Sequence, residues 1–499
     1  MCVMRWKMNR AAMKTVFVLV LVVLVAGCVT EREKPNEIPG HVTGPLPEKV
    51  EGTTMTCGEY CEEHVDMDCQ GYWNISGIYP ECTCNYVCSS AGANATEEGQ
   101  GGTGHESKEV TLGPQTEWPT FHGDAARTGF SVSEAPAKSQ IIWEWGGSGV
   151  SDTNWPVIEN NTVFVAADRV VALELETGKE LWSYVDESQG FYPRGIAVGN
   201  GNVFVTVNSE DALNDLPPGH IYALDRKTGK LIWKYRTEGG ISHSLPLLAE
   251  GNIFVGDDSG TVYSITADGE LSWKRQLDDA EVIHSSPAYY KGSVFVGTEG
   301  TGMSNAMPSR MYALDAKTGD EIWRFEIDYI NGKLNLIHST PAVSENVVYF
   351  GSENGYFYAV SSDEGKLIWK RLIASGSDRL VGVSAAAAIG YGKVFIGTYE
   401  GKFMAISQET GKVVWDYDFG KANADSSPLL ADGKVYFGSG EGGDGYFYCF
   451  DADSGEVMWK VKLGGASPAL ASGVLVVPNM LENGSEHGSP AIVAFFDYR

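Results

Sequence analysis

IYALDRKTGKLIW, residues Ile221 to Trp233, has a near twin ninety residues on in MYALDAKTGDEIW, Met311 to Trp323. Each copy reads as an apolar strand, a turn of the form Asp-x-x-Thr-Gly, and a second strand carrying tryptophan four positions after the glycine. The Asp or Thr side chain can cap turn amides, and the glycine supplies the positive φ that closes a tight hairpin. A tryptophan just beyond such a turn offers a large ring to pack and an indole N–H that seeks a carbonyl. The glycine-to-tryptophan spacing recurs seven times, at Gly178/Trp182, Gly229/Trp233, Gly269/Trp273, Gly319/Trp323, Gly365/Trp369, Gly411/Trp415 and Gly455/Trp459. Successive tryptophans lie between 40 and 51 residues apart. That is the period of a four-stranded propeller blade.

Upstream of each hairpin lies another. In SSPAYYKGSVFVGT (Ser285 to Thr298) and STPAVSENVVYFGS (Ser339 to Ser352), a Ser-x-Pro strand is followed by a polar turn and an alternating strand ending in glycine. The unit is therefore strand A (SxPxx), strand B (VFVGT), strand C (MYALD) and strand D (EIWRFE), and no segment carries the 3.6-residue apolar period of a helix. Seven complete units run from Asn154 to Leu463, and an eighth, from Ala466, lacks strand D. SQIIWEW, Ser139 to Trp145, supplies it from the other end of the chain, with Trp143 in the motif position. Pairing it beside the carboxy-terminal strand closes the ring and leaves no open sheet edge at the seam. The expectation is an all-β, eight-bladed propeller over 118–499. Trp143, Trp182, Trp233, Trp273, Trp323, Trp369, Trp415 and Trp459 should wedge neighbouring blades together.

The motif A-x-D-x-x-T-G-x-x-x-W, written as Ala223, Asp225, Thr228, Gly229, Trp233 and again as Ala313, Asp315, Thr318, Gly319, Trp323, resembles the tryptophan-docking motif of pyrroloquinoline quinone (PQQ) repeat propellers. WPTFHGDAARTGFS, Trp118 to Ser131, is similar to the lead-in of that superfamily. The resemblance implies the fold. It leaves activity open, because this superfamily contains quinone-dependent alcohol dehydrogenases and also non-catalytic lipoproteins that scaffold outer-membrane protein assembly. In the enzyme branch it implies PQQ above a calcium ion, with Glu and Asn ligands, an Asp base and adjacent cysteines under the cofactor. Here no two cysteines are adjacent, Cys449 is the single cysteine of 118–499, and no C-x-x-C-H awaits a covalent haem. No catalytic residue is carried over. The chain is expected to require no cofactor and reads closest to the non-catalytic branch, with a PQQ- and calcium-dependent oxidoreductase as the alternative.

The 499 residues carry a formal net charge of −28, spread along the chain, which disfavours nucleic acid as a partner. Arg5, Lys7, Arg10 and Lys14 precede the apolar run Val16 to Val25, and Val-Ala-Gly-Cys, ending at Cys28, resembles a lipobox. Residues 1–28 thus read as a lipoprotein-type signal with Cys28 as the lipidated residue, an uncleaved membrane anchor being the alternative. Polar, proline-rich 29–56 reads as a tether. Six cysteines, Cys57, Cys61, Cys69, Cys82, Cys84 and Cys88, crowd into 57–88, which in an exported chain reads as a disulfide-rich module of open pairing; zinc is the rival, though no C-x2-C occurs. Residues 89–117 read as a disordered linker. Asn74, Asn94, Asn160 and Asn483 open glycosylation sequons. The implied location is the outer face of the cell membrane, with membrane lipid as one partner.

Aligned on strand B, His243, His284 and His338 fall three residues before the strand A proline in consecutive blades; Ser384 and Asp425 take that place in the next two. Strand A is innermost in a propeller, so these residues ring the channel mouth, where three imidazoles and a carboxylate are suited to a metal or an anionic ligand, which makes a metal-dependent activity at this mouth a further alternative. The plainer reading is that duplication copied a histidine that merely bonds neighbouring strands. Three long B–C loops, Asn208 to His220, Thr298 to Arg310 and Asn479 to Pro490, emerge on the same rim, whereas C–D turns on the opposite face are short. Function is therefore expected at the B–C rim, as a scaffold binding a protein or surface ligand.

Overall fold

A computed structural model describes residues 110–147, 155–187, 191–208, 218–277, 282–300, 308–376, 382–420, 426–439, 444–463, 467–479 and 492–498, together with three short strands nearer the amino terminus. The chain divides into two compact units, 1–103 and 104–499. In the first, His41–Val42, Thr83–Tyr86 and Trp73–Ser76 form a three-stranded antiparallel sheet in that order. Cys28 and the cysteine side chains of 57–88 lie outside the described residues, as do the middles of the three long B–C loops and Asp425. Among the described residues no helix is long and apolar enough to cross a membrane.

The second unit is an eight-bladed propeller. Blade 4 shows the pattern: A is Ala288–Tyr290, B is Ser293–Gly297, C is Arg310–Asp315 and D is Glu321–Glu326, all antiparallel to their neighbours. The Ser-x-Pro stretch expected within strand A precedes it, since proline cannot donate to the ladder. Strands B and C are buried on both faces because each blade has a neighbour on either side. They therefore read as unbroken apolar runs, such as Val294, Phe295 and Val296. Strand D, at the circumference, alternates between exposed and covered residues.

The tryptophans join the blades. Trp273 packs against Phe254 of its own blade, with ring centroids 5.9 Å apart, and lies flat on Gly319 of the next. A Cβ at the seven docking glycines would come within 2.4–2.8 Å of the tryptophan ring from the preceding blade, so only glycine fits, and each also holds a positive φ. The indole N–H donates to a carbonyl in the same turn: Trp143 to Leu175, Trp182 to Arg226, Trp233 to Ala267, Trp273 to Ala316, Trp323 to Ser362, Trp369 to Gln408 and Trp415 to Ala452, at 2.7–3.2 Å. Asp225 and Asp315 accept the amides of Thr228 and Thr318, which caps the turn that presents the glycine.

The ring closes as the motif count requires. Ile141–Trp145 pairs antiparallel with Ile492–Phe495, Trp143 opposite Ala494, and completes blade 8 from the opposite end of the chain. Ordered packing begins earlier than expected. Val110 and Leu112 lie against the blade 8 core, the Gly113 amide donates to Ser472 O at 2.9 Å, and Thr116 bonds Ser472 twice. Residues 110–117 thus belong to the propeller and not to the linker expected over 89–117; two apolar side chains and these hydrogen bonds hold them.

Candidate functional site

The inner strands of a propeller have one unpaired edge facing the hub. Here the lead-in segment supplies the missing partners in blade order. Trp118 exchanges hydrogen bonds with Ile158, Pro119 O accepts from Val198, Ala125 O from Tyr289, Ala126 O from Val343, Thr128 O from Ile389, and Gly129 O from Leu430. Phe130–Ser131 adds a short parallel strand to blade 7. At the centre Arg127 is fully buried and spends its guanidinium on Pro287 O (3.0 Å), Pro246 O (3.1 Å), Thr120 Oγ1 (2.7 Å) and Phe121 O (2.6 Å). The hub is filled where these bonds lie. Sequence matching found this segment; its role in the hub was invisible there.

The three histidines sit above this floor, where the A strands begin. Their positions come from the repeat: each precedes its strand A proline by three residues, and neighbouring A strands touch around the ring. Inner strands are close together, so three consecutive blades bring their rings into contact. Centroids are 4.5 Å apart for His243 and His284, 5.1 Å for His243 and His338, and 5.0 Å for His284 and His338. One ring nitrogen from each lies within 4.8 Å of the others. The structure thus unites all three. Ser384, the equivalent in blade 6, turns to Tyr399, whose hydroxyl donates to its Oγ at 2.6 Å.

Around the imidazoles stand three carboxylates. Glu299 Oε1 accepts from His284 Nδ1 at 2.9 Å and lies 3.7 Å from His338 Nδ1. Glu353 Oε1 is 3.4 Å from His338 Nδ1, and Asp258 Oδ1 is 3.7 Å from His284 Nε2. Asp258 is held by Ser242, whose hydroxyl donates to it at 2.5 Å and whose amide donates at 3.3 Å. The acids were missed in the sequence although the signal was present. Asp258, Glu299 and Glu353 each fall two residues after the glycine that ends strand B, and fifteen after the histidine position of the same blade.

Burial and the neighbouring imidazoles depress the His243 pKa to about 3, although part of the residue faces solvent. Burial raises Asp258, and the Ser242 hydrogen bonds offset part of that. Burial pushes Glu299 up as well, but the His284 hydrogen bond and the surrounding imidazoles prevail, so it stays below the ordinary carboxylate range. Elsewhere, burial lifts the Cys449 thiol to about 12, which marks a packing residue rather than a nucleophile.

A family model described as outer membrane protein assembly factor BamB matches residues 217–461. The chain belongs to the PQQ-repeat β-propeller superfamily. It is 28% identical over 239 residues to outer membrane protein assembly factor BamB of Yersinia pestis, covering 43% of this chain and 56% of that one. It is 26% identical over 228 residues to a quinohemoprotein alcohol dehydrogenase of Comamonas testosteroni, covering 42% of this chain and 25% of that one. The propeller thus spans about half or less of the curated relatives it matches. The crystal structure of BamB from Moraxella catarrhalis aligns with a TM-score of 0.55 at 15% identity over 72% of this chain and 97% of that one, a likeness of fold.

Proposed function

We propose that this chain is an exported, lipid-anchored binding scaffold whose partner, a protein or surface ligand of the cell envelope, engages the B–C rim. One observation carries the reading: the two ends of the hub differ. One end is filled by the lead-in segment, with Arg127 wholly spent on carbonyls. The other carries the histidine and carboxylate cluster, and the three long B–C loops leave strand B on that side. Relatives named as outer membrane protein assembly factors support a protein partner. The test is pull-down of the full chain from its native membrane, beside a variant with residues 209–217 and 301–307 replaced by short Gly-Ser turns. The partner should be lost with the rim loops and kept when Lys227 and Lys317, in the C–D turns of the other face, are changed to serine. A partner that survives loss of the loops overturns the reading.

A quinone-dependent oxidoreductase fits the described residues poorly. PQQ is a planar tricarboxylate, whereas Asp258, Glu299 and Glu353 stand around the imidazoles and repel an anion, against one cation, Arg194, close to His243 among the described residues. The buried Arg127 has its donors committed to the floor. Purified protein mixed with PQQ and calcium should take up no quinone and reduce no dye acceptor with a primary alcohol. Stoichiometric uptake with dye reduction would reinstate the enzyme reading.

A further inference from the structure

We propose that His243, His284 and His338 bind one divalent first-row transition ion of the Zn²⁺ class, each through one imidazole nitrogen, with a fourth position open to water or an anionic ligand at the rim. Three neutral nitrogen donors on one side of an ion, with space on the other, is the donor set of an open zinc site. Three nitrogens bound to a tetrahedral ion at about 2.0–2.1 Å lie about 3.3 Å apart. Here the corresponding atoms lie within 4.8 Å of one another and the rings are already in contact, so closing on one ion asks for side-chain shifts on the order of 1 Å.

Two further observations point to a cation. Glu299 accepts from His284 Nδ1, which sets the tautomer with its lone pair on Nε2, and Glu353 approaches His338 Nδ1. Carboxylates behind histidines in this way orient zinc ligands and raise their basicity. The second is charge. Asp258 and Glu353 are buried and Glu299 nearly so, and among the described residues the ion-pairing partners of these carboxylates are imidazoles, with no lysine or arginine. Carboxylates crowded together out of water are costly without a compensating positive charge. A divalent ion on the three nitrogens supplies it. The three ligands precede strand A and lie outside the rim loops, of which only the first turn, at Glu299, is used, so the site stands whether or not the loops hold the partner.

Cobalt substitution of the full chain separates this site from the cysteine-rich segment. Protein stripped with chelator and titrated with Co²⁺ should take up one ion showing visible d–d bands of a four- or five-coordinate N/O site, without the sulfur-to-cobalt charge transfer that thiolates give. Zn²⁺ should displace it. His243→Ala, at the solvent-facing ligand, should abolish those bands in protein that still melts cooperatively. Glu299→Gln should keep the bands and weaken Co²⁺ binding about 10- to 100-fold. The proposal fails if no such bands appear, if they persist unchanged in His243→Ala, or if all uptake carries the thiolate signature.

Discussion

Seven of the blade seams and the eighth are built from the same tryptophan but not from the same partner. At the seven, the ring lies on a glycine of the next blade's C–D turn and its N–H reaches a carbonyl of that turn. At the eighth, blade 8 has no C–D turn, because its last two strands come from opposite ends of the chain. Trp459 still packs on Tyr436 and Phe495, at 5.9 and 5.8 Å, but its Nε1 is buried without a hydrogen-bond partner. The amino-terminal segment bridges that seam: Phe130–Ser131 pairs with blade 7, the Tyr436 hydroxyl of blade 7 donates to Pro136 O at 2.6 Å, and the Gly473 amide of blade 8 donates to Ser133 Oγ at 2.8 Å. The repeat makes seven joints locally, and the last one is made by long-range closure.

The comparison can be broken most forcefully at Arg127, which ties the closing segment to blades 3 and 4. Arg127→Met should leave Pro246 O, Pro287 O and Thr120 Oγ1 short of a donor and cost about 3–4 kcal/mol in urea unfolding. A loss under 1 kcal/mol would mean that the segment is dispensable. His122, in the same segment, adds a pH dependence. Its Nδ1 donates to Arg127 O, its Nε2 is buried without a partner, and burial with the Arg127 charge lowers its pKa to about 4. Between about 6.5 and 4 the unfolded chain therefore binds more protons than the folded one. This contribution is complete above pH 6.5, falls as pH drops, and levels off below 4, a loss of about 3 kcal/mol. His122→Asn should flatten the stability profile in that window, and an unchanged profile would assign the acid sensitivity elsewhere.

The repetitive seams predict smaller effects. Gly319→Ala puts a Cβ 2.7 Å from the Trp273 ring at φ +73°, and should cost about 2–3 kcal/mol. Gly292→Ala has φ +83° but open space around it, so about 1 kcal/mol is expected there. Equal costs would show that backbone strain, not docking, requires the glycine. The finest test sets Trp273→Phe against Trp459→Phe. The first loses the 3.0 Å bond to Ala316 O and the second loses none, so the first should be worse by about 1 kcal/mol. Parity would erase the distinction between the two kinds of seam.

Much of the architecture was legible before any coordinates. The Asp-x-x-Thr-Gly turns and the glycine four residues before each repeat tryptophan are contacts between near neighbours or repeats of them, which one-dimensional pattern carries, and the displaced Trp143 strand was legible as the one strand that the repeat count left missing. The histidines were legible as a set because they share one position in three repeats. Their acids were legible in principle, at a constant offset of fifteen, but Asp258, Glu299 and Glu353 occupy turns beside ordinary glycines and nothing nearby marks them as facing the hub. The early start of packing at Val110 escaped notice because the stretch has a linker's composition.

Sequence alone determined the blade period, the number of blades and the chain end that completes the last, since repeat spacing and turn chemistry are local properties. Whether three imidazoles separated by 41 and 54 residues meet was decided by the tertiary structure, through the curvature of the ring and the narrowness of its hub. The same is true of the lead-in pairing with six inner strands and of the lone indole at Trp459. Each of these depends on distances across the wheel, which the spacing of residues along a chain does not encode.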